Sequence, residues 1–384
     1  MAPTLAAKRA DAPAHHRGSR PIRALIVDDS AVVRGLVSRL LAEQPDIEIA
    51  ATASNGEQAL KALAGARFDV VVLDVEMPVM DGLTALPKML AIDPDVRVII
   101  ASTLSKPGAA ITIRALAAGA ADYIPKPSAS RDLTSAATDG DGFRRDLVIK
   151  VRALGEAGRR RRDQPAPGVG SEEVAEGLGS ASWPLRRTPP TRPEILVIGS
   201  STGGPQALST LVGGLPADLT LPILIAQHMP PHFTAILAEH LARIGRRPCA
   251  EGRDGEPIQP GRIYVAPGDF HMIVGRDGRR RVIRINQAPP ENFCRPAVDA
   301  LFRSAAACYG AATLAVVLTG IGADGTRGGE AVVAAAGALI AQDEASSVVW
   351  GMPGSVARAG LCSAVLPLEA LAERIGHLAT GLRP

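Results

Sequence analysis

Short apolar runs rich in β-branched residues alternate with amphipathic segments along the first third of the chain. The segment Val32–Leu41, for example, has a helical pattern of apolar positions and follows the first of these runs. Five runs have strand character: Ala24–Val27, Ile47–Ala51, Val70–Leu73, Val96–Ala101 and Asp122–Ile124. Strands that alternate with helices predict a parallel, doubly wound α/β sheet. A last helix is predicted over Asp146–Leu154.

Strand character resumes in the second half of the chain after a change in composition. The stretch Arg159–Pro193 is rich in Arg, Pro, Gly and Ser and has no sustained period, so we predict a linker there. The strand-like runs beyond it are Ile195–Ile198, Pro222–Ala226, Arg262–Ala266, Met272–Val274, Val282–Ile285, Leu314–Leu318, Ala338–Ala341 and Ser363–Leu366. The Asp277-Gly278 pair between two runs predicts a β-hairpin inserted in a second α/β domain.

These patterns divide the chain into a flexible tail and two domains. We expect a tail over residues 1–21, a first domain over 22–158, a linker over 159–193 and a second domain over 194–384. The length of 384 residues allows two domains that each bury their own core. Both are predicted to be doubly wound α/β domains, the second with the inserted hairpin.

Composition excludes several classes of protein. A net charge of +3 over 384 residues gives no indication of nucleic-acid binding. The four cysteines form no C-x-x-C pair and have no His at metal-ligand spacing, so neither a zinc site nor a disulfide framework is predicted. The segment Met1–Pro21 lacks an apolar signal region, and no stretch approaches the roughly 18 to 20 apolar residues of a membrane span. We therefore expect a cytoplasmic protein without membrane insertion.

Polar side chains follow the strands of the first predicted sheet. Asp28 and Asp29 end the first strand, Asp74 ends the third, Ser102 follows the fourth, and Lys126 follows the fifth. Ligands of open parallel sheets bind at this edge, and clustered carboxylates repel each other unless a cation lies among them. One Asp alone is more often a helix cap. The whole set indicates a site for Mg²⁺ and phosphate oxygens.

These residues lie in motifs that resemble those of the response-regulator receiver domain over Ile22–Leu154. The motifs are Val27-Asp28-Asp29-Ser30, Leu73-Asp74-Val75-Glu76-Met77-Pro78, Met80-Asp81-Gly82 and Lys126-Pro127. The resemblance implies a flavodoxin-like fold in which Asp74 accepts a phosphoryl group. It also implies Mg²⁺ ligands at Asp28, Asp29 and Asp74, a cationic partner at Lys126, and switch residues at Ser102 and Tyr123. Such a domain acts as a switch, because a phosphoryl group adds charge and acceptor oxygens.

A serine follows the first strand of the second domain. Ile195–Ser200 leads into Ser201-Thr202-Gly203-Gly204-Pro205, and the pattern Gly199-x-Ser201-x-Gly203 matches a nucleophile elbow. Small neighbours allow the sharp turn that exposes the hydroxyl. The same turn suits an anion site at a helix N-terminus. From this motif alone, an esterase and an anion site remain equally open.

A serine nucleophile requires a base, and His228 stands directly after the strand Pro222–Ala226. His232 opens the following helix and is predicted to be a capping or surface residue, while His271 follows a different strand and is a weaker competitor. Asp324 lies in the glycine-rich turn after Leu314–Leu318 and is the natural orienting acid. The order Ser, His, Asp differs from that of α/β-hydrolases, which disfavours that fold.

The second domain resembles the CheB methylesterase family over Glu194–Pro384. The matching motifs are Ser200-Ser201-Thr202-Gly203-Gly204, Gln227-His228-Met229-Pro230, Tyr264-Val265-Ala266-Pro267-Gly268, Arg295-Pro296-Ala297-Val298-Asp299 and Leu318-Thr319-Gly320-Ile321-Gly322-Ala323-Asp324-Gly325. The resemblance implies Ser201 as nucleophile, His228 as base and Asp324 as its orienting acid. It implies backbone oxyanion donors at Thr202 and Ile321 and no cofactor in this domain. Ile321 stands where the family commonly has Met.

The resemblance also implies a reaction and partners. The reaction is hydrolysis of γ-methyl esters on receptor glutamates, with release of methanol, together with deamidation of receptor glutamines. The partners are the cytoplasmic helices of chemoreceptors and a phosphodonor histidine kinase. One alternative is a phospho-switch without catalysis, whose glycine-rich turn binds an anion. Another keeps the chemistry but acts on receptors outside motility.

Overall fold

The structure is a computed structural model that describes residues 20–126, 140–163 and 183–380. Pro127 of the Lys126-Pro127 pair, the predicted tail up to residue 19 and residues 164–182 of the predicted linker lie outside the described residues. None of the described helices is both long and apolar enough to cross a membrane.

The first sheet has five parallel strands in the order β2-β1-β3-β4-β5. Their bounds are Ile22–Val27 (β1), Ile47–Ala53 (β2), Val70–Asp74 (β3), Arg97–Ser102 (β4) and Asp122–Pro125 (β5). The helices around them are Ala31–Ala42 (α1), Gly56–Gly65 (α2), Gly82–Ile92 (α3), Lys106–Ala117 (α4) and Gly140–Asp163 (α5). Central strands such as β3 are buried along their whole length, which is why they read as continuous apolar runs.

The helices of this domain begin at polar side chains that cap them. Ser30, Asn55, Asp81 and Ser105 each accept a hydrogen bond from a backbone N–H in the first turn of α1, α2, α3 and α4. These caps fix the loops that leave the carboxyl ends of the strands, where the polar residues singled out above lie.

Helix α5 extends beyond both ends of the predicted helix Asp146–Leu154 and into the predicted linker, which was expected to begin at Arg159. Residues 159–163 are instead helical. Arg159 donates to Asp69 Oδ2 at 2.7 Å and Arg162 donates to Asp93 Oδ2 at 2.6 Å. These ion pairs hold the last turn of α5 against the first domain, so the arginine run covers a surface of that domain.

The second sheet has seven parallel strands in the order β14-β13-β12-β6-β7-β9-β8. Their bounds are Ile195–Ser200 (β6), Ile223–Gln227 (β7), Cys249–Glu251 (β8), Ile263–Val265 (β9), Thr313–Val317 (β12), Ala338–Gln342 (β13) and Ala364–Leu366 (β14). The antiparallel hairpin joins His271–Asp277 (β10) to Arg280–Asn286 (β11). The predicted α/β class, the parallel sheets and the inserted hairpin are confirmed. The edge strand β8 was not predicted.

Helices flank this sheet, and the first domain packs against two of them. The helices are Gly204–Gly214 (α6), Phe233–Gly245 (α7), Val298–Tyr309 (α8), Thr326–Ala334 (α9), Met352–Arg358 (α10) and Leu368–Thr380 (α11), with a short 3₁₀ turn at Gly310–Ala312. Helix α4 contacts α6 and α7. The rings of Tyr123 and Phe233 stack across this boundary, with their centroids 4.8 Å apart and their planes 16° from parallel. The end of β5 therefore lies close to the turn that carries Ser201.

Candidate active site and phosphoacceptor site

Two glycines allow the sharp turn around Ser201. Gly203 has φ +75°, a left-handed conformation that favours glycine, and α6 begins at the next residue. A Cβ atom on Gly204 would lie 1.9 Å from Gln227 Oε1. The chain can thus turn from β6 into α6 within three residues and leave the half-buried Ser201 at the sheet edge.

Gln227 ties this turn to the neighbouring strand β7. Its Oε1 accepts a hydrogen bond from Ser200 Oγ at 2.6 Å, and its Nε2 donates to the Ser201 carbonyl at 2.9 Å. We assigned it no role from the sequence. Its position directly before His228, at the end of β7, was the signal that could have found it.

His228 and Asp324 form a hydrogen-bonded pair at the ends of β7 and β12. The distance between His228 Nε2 and Asp324 Oδ2 is 2.8 Å. Asp324 Oδ2 also accepts from the Val298 backbone N–H at 2.7 Å, and its Oδ1 accepts from that of Asp299 at 2.9 Å. Burial would raise the pKa of Asp324, but these hydrogen bonds outweigh burial and lower it. Asp324 is therefore held as a carboxylate that fixes the imidazole ring.

The Ser201 hydroxyl has no hydrogen-bond partner within the described part of the chain. The second ring nitrogen of His228, Nδ1, lies 3.4 Å from Cys294 Sγ. Burial lowers the pKa of His228, but Cys294 and Asp324 outweigh burial and raise the pKa to about 10. The structure thus brings His228 and Asp324 together and places a cysteine, not Ser201, at the remaining nitrogen.

The two other candidate histidines of the sequence have different environments. His271 is buried, and its two ring nitrogens contact the Pro289 carbonyl and the Ala297 backbone N–H. It is therefore occupied by structural contacts. His232 precedes α7 and is exposed, and its side chain makes no capping hydrogen bond. It is a surface residue, one of the two possibilities predicted for it.

A second buried carboxylate lies beside Asp324. Asp299 Oδ1 accepts from the backbone N–H groups of Gly325 and Gly328, and the Asn292 amide donates to both Asp299 and Asp324. Burial and the neighbouring charge of Asp324 raise the pKa of Asp299. The sequence analysis assigned no role to Asn292, Cys294 or Asp299, although all three lie in or near the Arg295–Asp299 motif.

The two predicted oxyanion donors lie on loops next to Ser201. A Cβ atom on Gly320 would lie 2.8 Å from Ser201 Cβ, so the absence of a side chain lets the loop before Ile321 approach the serine. Within the described residues, neither the Thr202 nor the Ile321 backbone N–H donates a hydrogen bond. Their roles as oxyanion donors stay predictions.

The three carboxylates of the first domain converge at the edge of its sheet. Oxygen atoms of Asp28, Asp29 and Asp74 lie within 4.8 Å of one another. Lys126 Nζ forms ion pairs with Asp28 Oδ2 at 3.0 Å and with Asp74 Oδ2 at 2.8 Å. Burial raises the pKa of Asp74, which the charge of Lys126 opposes only in part. Three converging carboxylates form an all-oxygen donor set, which fits Mg²⁺.

The predicted switch residues lie on either side of this cluster. The Ser102 hydroxyl donates to the Gly108 carbonyl at 3.2 Å and so contacts the first turn of α4. Tyr123 is buried against Phe233, and burial raises its pKa well above the ordinary value. The phosphoacceptor edge and the domain boundary are therefore connected through β4, α4 and β5.

A buried hydrogen bond joins the two domains next to the serine. Thr202 Oγ1 donates to Asp122 Oδ2 at 2.6 Å. Lys150 Nζ, from α5, lies 3.3 Å from the same oxygen and donates to the Tyr123 carbonyl at 2.7 Å. The residue after Ser201 is thus bonded directly to the end of the first domain that carries Tyr123.

Comparisons with known proteins match both domains. The family model for CheB methylesterase matches residues 196–375, and that for the response regulator receiver domain matches residues 24–138. A protein from Paramagnetospirillum magneticum named protein-glutamate methylesterase/protein-glutamine glutaminase 1 is 53% identical over 93% of this chain and 96% of its own length. A protein of the same name from Rhodospirillum rubrum is 50% identical over 95% of this chain and 97% of its own.

Solved structures of similar proteins include the CheB methylesterase catalytic domain of Thermotoga maritima. It is 40% identical to the part of this chain that it matches, covers 49% of this chain and 100% of its own, and superposes with a TM-score of 0.48.

Proposed function

Because the chain belongs to the CheB methylesterase family and carries a receiver domain in front of the esterase domain, we propose that it is a phosphorylation-controlled serine esterase. Its substrates are γ-methyl esters of glutamate side chains on the cytoplasmic helices of chemoreceptors. It also deamidates receptor glutamines, and it acts in the cytoplasm in chemotaxis. The proposal agrees with the names of its relatives.

The His228–Asp324 pair beside the Ser201 turn is the observation that carries the enzymatic part of the proposal. A site that only bound an anion would need the N-terminus of α6 but no imidazole held by a buried carboxylate. The 2.8 Å contact between the two side chains is instead the arrangement that a general base requires. This favours the esterase over the phospho-switch without catalysis.

The reaction begins when Ser201 Oγ attacks the ester carbonyl and His228 takes its proton. Backbone N–H groups of Thr202 and Ile321 bind the oxyanion that develops. The protonated His228 then gives its proton to the leaving oxygen, so that methanol departs and an acyl-Ser201 ester forms. Water, deprotonated by His228, hydrolyses this ester and returns glutamate. A glutamine substrate follows the same steps and releases ammonia.

The receiver domain controls this reaction through Asp74. The carboxylate accepts a phosphoryl group from a histidine kinase, and Asp28, Asp29 and Asp74 would hold Mg²⁺ there. When bound, the ion neutralises the negative charge that gathers on the transferred group. Lys126 adds a positive charge to the phosphoryl oxygens. Ser102 turns from the Gly108 carbonyl towards the phosphoryl group and so changes the first turn of α4.

The unphosphorylated receiver restrains the active site through the domain boundary. Thr202 carries one of the proposed oxyanion donors, and its side chain is bonded to Asp122 of the receiver. The stacked rings of Tyr123 and Phe233 cover the same region. A shift of α4 and β5 on phosphorylation would loosen both contacts and open the site to receptor helices.

Replacement of Ser201 tests the proposed chemistry. We expect Ser201→Ala to lower kcat for methanol release by about 10³-fold or more while the fold is retained, because the change removes the nucleophile and little volume. His232→Ala is the matched control and should keep near wild-type rates, since His232 is exposed and has no contact with the pair. Near wild-type turnover by the Ser201→Ala protein would contradict the assignment.

A further inference from the structure

Both ring nitrogens of His228 have partners, and neither partner is Ser201. Asp324 accepts from Nε2–H, which leaves Nδ1 as the acceptor when the ring is neutral. This acceptor is the atom that must take the proton of Ser201. It lies 3.4 Å from Cys294 Sγ, while the Ser201 hydroxyl makes no hydrogen bond within the described residues.

We propose that Cys294 is a positioning residue that occupies Nδ1 of His228 in the resting chain, so that Ser201 obtains its base only when the thiol moves away. The inference rests on the proposed esterase function and adds an inhibitory contact to that site. Cysteine sulfur forms only weak hydrogen bonds, as donor or as acceptor, so the serine hydroxyl can displace the contact when a substrate aligns it.

The loop that carries Cys294 is built to hold the thiol in this place. Glu291 and Cys294 exchange two backbone hydrogen bonds of 3.1 and 2.8 Å, and Arg303 clamps the Glu291 carboxylate from α8. Asn292 and Phe293, between them, both have positive φ angles of 50° and 63°. Such angles cost free energy for residues other than glycine and persist because the surrounding contacts enforce them.

The same loop is bonded to the acid of the pair and touches the receiver domain. The Asn292 amide donates to Asp324 Oδ1 at 3.1 Å, which links the loop to the carboxylate that orients His228. The guanidinium of Arg145, on α5, lies 3.7 Å from the centre of the Phe293 ring. Receiver contacts thus reach the residue next to Cys294, and a movement of α5 would act on the thiol directly.

Two substitutions of Cys294 separate competition from simple packing. Cys294→Ala removes the donor and leaves little cavity, since the side chain is only half-buried. We expect the unphosphorylated full chain to release methanol about threefold to tenfold faster, which is the range of one neutral hydrogen bond, mainly through kcat. Cys294→Ser keeps a hydrogen-bond donor and should show no such gain. A residue that only packed would give equal or lower rates in both variants.

An NMR titration of the His228 imidazole provides a readout that does not depend on the esterase. Loss of Cys294 should shift the pKa of His228 away from its value of about 10, because the group in contact with Nδ1 is gone. Asp324 remains as the other titratable group in contact with the ring. An unchanged rate and an unchanged titration in the Cys294→Ala protein would overturn the inference. If no variant, wild type included, released methanol, the proposed function would fail instead, and the titration would still decide the contact.

Discussion

Replacing Thr202 by Val should release the esterase from the unphosphorylated receiver. Val has nearly the shape of Thr but lacks the hydroxyl that donates to Asp122 at 2.6 Å. Asp122 keeps Lys150 and the Tyr123 backbone N–H as partners, so the change does not leave a buried charge unpaired. The perturbation is therefore confined to one hydrogen bond between the two domains.

The size of the effect follows from the nature of that bond. A hydrogen bond to a charged group contributes about 1.5 to 3 kcal/mol, and each 1.4 kcal/mol changes an equilibrium about tenfold. Because Asp122 is still bonded elsewhere, the lower end of this range applies. In the closed form of the full chain, the receiver restrains the active site. We expect the equilibrium constant that favours the closed form over the open one to fall about tenfold, and the basal rate of methanol release to rise by up to the same factor.

Initial rates of methanol release from methylated receptor measure this change. Thr202→Ser is the matched control, since it keeps the hydroxyl and should stay inhibited. Thr202→Val in a fragment that begins at Pro193 reports any direct effect on catalysis, because that fragment lacks Asp122. If the full-length Val protein were as inhibited as wild type, or if the fragment gained equally from the substitution, the reasoning would be refuted.

Three further predictions concern the site and the switch. Asp324→Asn should lower kcat by several orders of magnitude, up to about 10⁴-fold, because the amide cannot hold His228 in the tautomer that leaves Nδ1 unprotonated; a steady-state assay checks this, and a mild effect would contradict the pairing. Asp74→Asn should prevent phosphate uptake, and wild type should lose uptake when a chelator removes Mg²⁺; a label that persists on the variant would place the acceptor elsewhere. Since a base must be unprotonated and the pKa of His228 is raised to about 10, the rate of the resting chain should climb as pH rises towards that value, and a rate that falls over this range would contradict it.

The strands at the centre of each sheet are the ones that the sequence indicates most clearly. Runs such as Val70–Leu73 are buried on both faces and are therefore apolar throughout. β8 was not predicted because its three residues, Cys249–Glu251, include no β-branched or aromatic side chain. The sequence predicts a linker from Arg159 because the stretch Arg159–Pro193 is rich in Arg, Pro, Gly and Ser and has no sustained period. The pairing of Arg159 and Arg162 with Asp69 and Asp93 depends on residues far away in the chain.

The candidate site divides in the same way. Ser201, His228 and Asp324 follow β6, β7 and β12, which are neighbours in the sheet, so the rule that ligands bind at the carboxyl edge is enough to gather them. Their catalytic roles stay predictions. Cys294 lies on a loop that follows no strand of this sheet, and Asp122 belongs to the other domain. Their contacts with His228 and Thr202 depend on how the loop and the domains pack, which no local pattern encodes.

Methanol release by three forms of the protein tests the proposed control of a serine esterase most directly. The forms are the fragment that begins at Pro193, the unphosphorylated full chain and the phosphorylated full chain. We predict that the fragment is at least about tenfold faster than the unphosphorylated chain, a free-energy difference of about 1.4 kcal/mol, and that phosphorylation closes most of this gap. Equal rates for all three would contradict the control by the receiver, and no methanol from any of them would contradict the esterase itself.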